Sequence, residues 1–158
     1  MSKSLARVRA ALQASGLAAE PLEMPAETRT AVQAAAAAGC ALDQIVKSIL
    51  FQGLRSGRLY LFLTAGGNRV DEARAAALTG EPLGRADGQT VRDVTGFAIG
   101  GVAPLGHLSP LPAWIDPRLL DFPQVWAAAG TPRHIFPAAP GELARAAGAI
   151  RADFCRAM

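Results

Sequence analysis

The chain has 158 residues, 51% of them hydrophobic and 18% charged, with a formal net charge of +3. That length and balance suit one globular domain spanning residues 1–158 and exclude a disordered chain. No run approaches the ~18 apolar residues of a membrane span, and Met1 to Arg9 lacks the apolar stretch of a signal peptide, so a cytoplasmic protein with no membrane partner is expected.

In chain order, Leu5, Val8 and Leu12 share one helical face and Gly16 supplies a stop. Thr28 or Thr30 can cap a second, Ala-rich helix that ends at Gly39. From about Val46 to Gln52 the β-branched and aromatic content predicts a strand, with Lys47, Ile49 and Phe51 on one face. A turn over Gly53 to Gly57 leads into a second strand, Arg58 to Thr64. That strand is apolar on both faces and therefore central. Gly66-Gly67-Asn68 breaks it, and Asp71-Glu72 opens a helix that stops at Gly80. Another short helix is predicted from Asp87 to Val94. Strand-like pieces follow at Ala113-Trp114-Ile115, Gln124 to Ala127 and His134-Ile135-Phe136, and a last helix runs from Pro140 to about Ala147. Helices and strands mix without a steady βαβ repeat, which predicts an α+β fold with a mixed sheet.

Lysine occurs twice, at Lys3 and Lys47, against fourteen arginines. Lys47 sits within Gln44-Ile45-Val46-Lys47-Ser48-Ile49-Leu50-Phe51. A lysine is a compact charge whose pKa shifts on burial, so this apolar setting invites a functional role. The plainer alternative is a stem packed on apolar surface with its ammonium in water. The loop Gly100-Gly101-Val102-Ala103-Pro104-Leu105-Gly106-His107 is the strongest local punctuation. Glycines let backbone N–H groups approach a ligand, and a proline stiffens the loop, so it could hold a carbonyl or an oxyanion. The same residues also make an ordinary turn. Cys40 and Cys155 show no metal-ligand spacing or disulfide framework, and the two histidines, His107 and His134, lack a zinc-binding pattern. No metal and no cofactor are expected. The acidic residues Asp71, Glu72, Asp87 and Asp93 read as helix caps or faces.

Thr28 to Phe51, Asn68-Arg69-Val70-Asp71, the Thr95 to His107 segment and Trp126 to Pro132 occur together and in order. This combination resembles the YbaK/prolyl-tRNA-synthetase-associated editing domain family over about residues 20 to 150. The resemblance implies a barrel-like mixed sheet wrapped by helices. It also implies a free-standing trans-editing aminoacyl-tRNA deacylase, a hydrolase of the ester on mischarged tRNA, as of tRNA for proline carrying a small wrong amino acid. By the same resemblance Lys47, Gly100, Gly101 and Pro104 are the catalytic set. Lys47, Val102, His107, Thr131 and His134 are the substrate-binding set. The implied partners are the aminoacyl-adenosine end of tRNA and, transiently, a synthetase or elongation factor, with no DNA. In some relatives an Asp or His stands in the strand where this chain has Ile135, and His134 falls one position earlier. A one-residue offset turns a strand side chain to the opposite face. The alternative reading is a non-catalytic module that binds tRNA ends or nucleotides in the same pocket.

Overall fold

The computed structural model describes residues 2–157; Met1 and Met158 lie outside the described residues. Helix α1 (Lys3–Ala14) starts where the Ser2 hydroxyl accepts the Leu5 N–H, and it buries Leu5, Val8 and Leu12. Strand β1 is Leu22–Glu23. Helix α2 (Ala31–Ala38) is capped by Thr30, whose hydroxyl and the Gln33 side chain form a reciprocal capping box, and it ends at left-handed Gly39. Of the two capping candidates, Thr30 therefore caps. Thr28 instead donates its hydroxyl to the Pro132 carbonyl at 3.1 Å, which ties the entry to α2 to the far side of the chain.

After a 3₁₀ turn at Leu42–Gln44 come β2 (Ile45–Gly53), β3 (Leu59–Ala65) and β4 (Asn68–Val70). Then follow α3 (Glu72–Thr79), β5 (Leu83–Arg85), α4 (Gly88–Thr95) and β6 (Ala113–Ile115). Asp71 caps α3 and Asp87 caps α4, as their positions predict. A 3₁₀ turn at Pro117–Asp121 leads to β7 (Val125–Ala128), β8 (His134–Ala138), α5 (Pro140–Ala147), β9 (Ala149–Arg151) and β10 (Cys155–Ala157).

The fold is α+β with a mixed sheet in the order β1-β8-β7-β2-β3-β6-β9; β5 also pairs with β2, and β10 pairs with β4 in a separate ribbon. The pairs β2–β7, β3–β6 and β6–β9 are parallel, whereas β2–β3, β2–β5, β7–β8 and β1–β8 are antiparallel. Strand β3 is buried throughout, so the expected central strand is central. Its alternation feeds two cores. Leu59, Leu61 and Leu63 pack with Val46, α1 and Leu143. Tyr60 and Phe62 pack with Ile49, Phe51, Trp114 and Phe154 on the other face. Phe62 stacks on Trp114 with ring centroids 5.1 Å apart.

Five strands of two or three residues, β1, β4, β5, β9 and β10, have no counterpart among the predicted elements. Two or three residues carry no readable period, and only pairing with a distant strand makes them strands. Among the described residues no helix is long and apolar enough to cross a membrane.

One carboxylate organises the far end of the β2–β3 hairpin. Glu81 accepts from the N–H groups of Arg55 and Ser56, both at 3.0 Å, and from the hydroxyls of Ser56 and Tyr60, both at 2.6 Å. These bonds, the one from the Ser56 hydroxyl foremost, hold its carboxyl down to about 2. The approach needs glycine at position 53, where a Cβ would lie 2.3 Å from that carboxyl. A carboxylate depressed in the folded state stabilises it above its ordinary pKa, near 4.5, and the contribution is lost as pH falls towards 2. Glu81→Gln is therefore expected to show a smaller fall in thermal midpoint over that acid window than wild type. Equal falls would exclude this role.

Candidate functional site

A cleft of about 460 Å³ opens between α2, the β2–β7 junction and the loop after α4. Thr30, Ala31 and Ala34 line it from α2 and its cap. The parallel pairing of Ile45 with Trp126 and of Val46 with Ala127 brings the opposite wall together. Ile135 of β8 and the Thr131-Pro132 turn close one end, and Gly100 and Val102 close another. The wall is mostly small and apolar. Among the described residues its titratable side chains are Arg29 and Lys47, and no Asp, Glu, His or Cys lines it.

Lys47 reaches the cleft from the middle of β2. Its half-buried ammonium donates to the Asn68 carbonyl at the start of β4. Burial pushes its pKa below the ordinary lysine value, and the neighbouring carboxylates Asp116 and Asp43 offset part of that. The carbonyl is itself held in place. Asp116, at 3% exposure, accepts from the Asn68 side-chain amide at 2.9 Å and from the Ala65 N–H at 3.1 Å through one oxygen. Its other oxygen accepts from the Arg118 N–H at 2.9 Å. Burial, with Asp116 next, pushes the Cys155 thiol far up, so it is a neutral group beside this network. Asp116 was absent from the sequence-derived set. Its one signal was a lone carboxylate directly after the apolar Ala113-Trp114-Ile115 strand.

The glycine loop divides. Gly100 adopts a left-handed φ of 87° and lines the cleft; a side chain there would be strained. Among the described residues the N–H groups of Gly100 and Val102 donate to no protein acceptor, whereas the Gly101 N–H is committed to the Ala98 carbonyl at 2.9 Å. Pro104 is buried outside the cleft lining. His107 also stands outside it. Its Nε2 lies 2.7 Å from the Ala103 carbonyl, which assigns the ring proton to that nitrogen, and its ring meets Phe97 edge-on. Burial lowers its pKa, so a neutral ring pins the loop from behind.

Thr131 lines the cleft and His134 does not. The Thr131 hydroxyl accepts from the Arg133 N–H at 3.2 Å and shares a hydrogen bond with His134 Nδ1, 2.6 Å away. The other ring nitrogen lies 3.8 Å from Glu23 on β1. The neighbouring Ile135 is the β8 residue that faces the cleft, as strand alternation requires once the offset is taken into account. The fold thus brings Lys47, Gly100, Val102 and Thr131 around one space and leaves Gly101, Pro104, His107 and His134 outside it. The Ser48 hydroxyl, at the cleft wall, is buried without a hydrogen-bond partner among the described residues. Among the described residues no group of three His, Cys, Asp or Glu is placed to hold a metal ion.

A family model described as the aminoacyl-tRNA editing domain matches residues 25–146. The chain belongs to that family. The match takes in every cleft-lining residue, from Thr28 to Ile135. The fold of this editing domain is shared by a solved structure described as a candidate trans-editing enzyme for prolyl-tRNA synthetase, with 50% identity, 99% of each chain covered and a TM-score of 0.91. A scaffold structure from computational grafting of linear epitopes is 46% identical over 100% of both chains, again with a TM-score of 0.91. The uncharacterised YwhH protein of Bacillus subtilis (strain 168) is 29% identical over 121 residues, 77% of this chain and 76% of its own.

Proposed function

We propose that this editing domain is an aminoacyl-tRNA deacylase acting in trans on tRNA that carries a small wrong amino acid, with tRNA for proline as the leading substrate. The observation that carries this reading is the convergence of Lys47 with the uncommitted N–H groups of Gly100 and Val102 on one small apolar cleft. In the proposed reaction a water oxygen bonds to the acyl carbon. The ester bond to the ribose oxygen breaks, and that oxygen leaves as the ribose hydroxyl with a proton. The loop N–H groups would receive the carbonyl oxygen as it gains charge, and Lys47 would fix the terminal nucleotide or the aminoacyl group. With no carboxylate or imidazole on the wall among the described residues, the proton acceptor would come from the substrate, with the vicinal ribose hydroxyl suited to it. Walls of Ala31, Ala34, Val46 and Val102 suit a sieve for small side chains. Such a sieve is needed because one methylene discriminates by only ~1–3 kcal/mol. A synthetase or elongation factor would hand over the tRNA.

The test is a panel of tRNAs charged with alanine, serine, cysteine, threonine and proline. At least one small wrong amino acid is expected to be released faster than without protein, with the cognate ester spared. The absence of a general base from the wall favours one competitor, a non-catalytic module for tRNA ends. Saturable, salt-dependent tRNA binding with no turnover on the whole panel would replace the deacylase with that module.

A further inference from the structure

Lys47 and Ile49 also line a second cleft, of about 490 Å³, next to the first. Its other walls come from the β4–β10 ribbon and the start of α3. On that ribbon Arg69 and Arg156 are direct cross-strand partners, and both line the cleft. Like charges facing each other across two strands are destabilising unless something neutralises them. Among the described residues neither arginine makes an ion pair or a side-chain hydrogen bond. The nearby Asp153 is taken by Arg74 at 3.1 Å. Two acids also line the cleft. Asp71 spends one oxygen on the N–H groups of Ala73 and Arg74, and Glu72 stands exposed in the first turn of α3. Three cations, Lys47, Arg69 and Arg156, thus share a cleft with two acids, one of them engaged in capping.

We infer that this second cleft is a phosphodiester subsite, in which Arg69 and Arg156 hold the RNA backbone just 5′ of the terminal adenosine while the aminoacyl group occupies the first cleft. The inference rests on the deacylase reading for the identity of the strand. Its physical basis is separate: two guanidinium groups side by side offer paired donors to one phosphate, and the anion between them relieves their repulsion. Lys47 on the shared wall would mark the passage from acyl group to backbone.

The probe is the dinucleotide CpA, compared by calorimetric titration with its uncharged methylphosphonate analogue and with inorganic phosphate. Wild type is expected to bind CpA about tenfold more tightly than the analogue at low salt, as for a charge-assisted contact, and the preference should shrink as salt rises. The double variant Arg69→Gln/Arg156→Gln is expected to bind CpA and the analogue equally; both side chains are exposed, so its fold should persist. Equal binding by wild type, no binding of either dinucleotide, or a preference that survives in the double variant would overturn the subsite. So would inorganic phosphate competing as well as CpA, which would mark a free-anion site. Turnover on the charged-tRNA panel is read independently, so a charge preference without turnover would sink the deacylase and leave the subsite standing.

Discussion

Lys47→Ala is expected to lower kcat/KM for a mischarged tRNA by about 100-fold, the scale of removing one preorganised donor from an ester-hydrolysing site. Lys47→Arg should recover little of it. The ammonium donates to the Asn68 backbone carbonyl from a half-buried stem between two clefts. A guanidinium is larger, planar and forked, so it would project past that carbonyl into the space a substrate needs. Neither variant should cost much stability, because the side chain is not fully buried. Thermal unfolding alongside the deacylation assay separates lost function from lost fold. A Lys47→Arg protein with wild-type kcat/KM would remove Lys47 from the proposed role, since charge alone would then suffice.

Asp116→Ala is expected to destabilise the protein by about 3–5 kcal/mol, the range for stripping partners from several buried donors at once. Three donors converge on this carboxylate: the Ala65 N–H, the Arg118 N–H and the Asn68 amide. Asp116→Asn separates charge from geometry. A carboxylate accepts through both oxygens, whereas an amide offers one acceptor and turns an NH₂ towards the remaining donors. That variant should lose about 1–3 kcal/mol and should also lose deacylation, because the Asn68 carbonyl that holds Lys47 would no longer be anchored. The checks are denaturant midpoints for both variants and the kcat/KM of Asp116→Asn. An Asp116→Ala midpoint equal to wild type would show that water or another group satisfies these donors. Full activity in a destabilised Asp116→Asn would limit Asp116 to folding.

Much of the frame was readable locally. The alternation over Val46 to Gln52 placed Lys47 with Ile49 and Phe51, and those three do share a face. The doubly apolar Leu59 to Leu63 run is the buried centre of the sheet, because only a strand covered on both sides tolerates apolar side chains on both. Thr30, Asp71 and Asp87 are side chains that cap the helix they precede, which is a matter of three or four residues and therefore visible in sequence.

What failed to show locally was always a matter of long-range pairing. Strand β4 is three residues after a glycine turn and becomes a strand only by meeting Cys155–Ala157 from the other end of the chain. That pairing sets Arg69 against Arg156 and delivers the Asn68 carbonyl to Lys47. The glycine loop looked like one unit, yet Gly100 and Val102 face the cleft while Gly101 closes a turn and His107 pins the back. Composition cannot assign those directions, because each depends on which carbonyl across the loop a given N–H meets.

By itself, then, the sequence determined the mixed α+β class, the helix caps, the central strand and, through its motifs, the likeness to editing domains, since all of these rest on patterns a few residues long. Only the tertiary structure decided which side chains share the cleft. It exchanged His134 for Ile135, brought in Asp116 as the anchor behind Lys47, and opened a second, cationic cleft on the same lysine. The physical reason is that a strand's facing and a loop's free donors are set by partners tens of residues away, in contacts that no local period encodes.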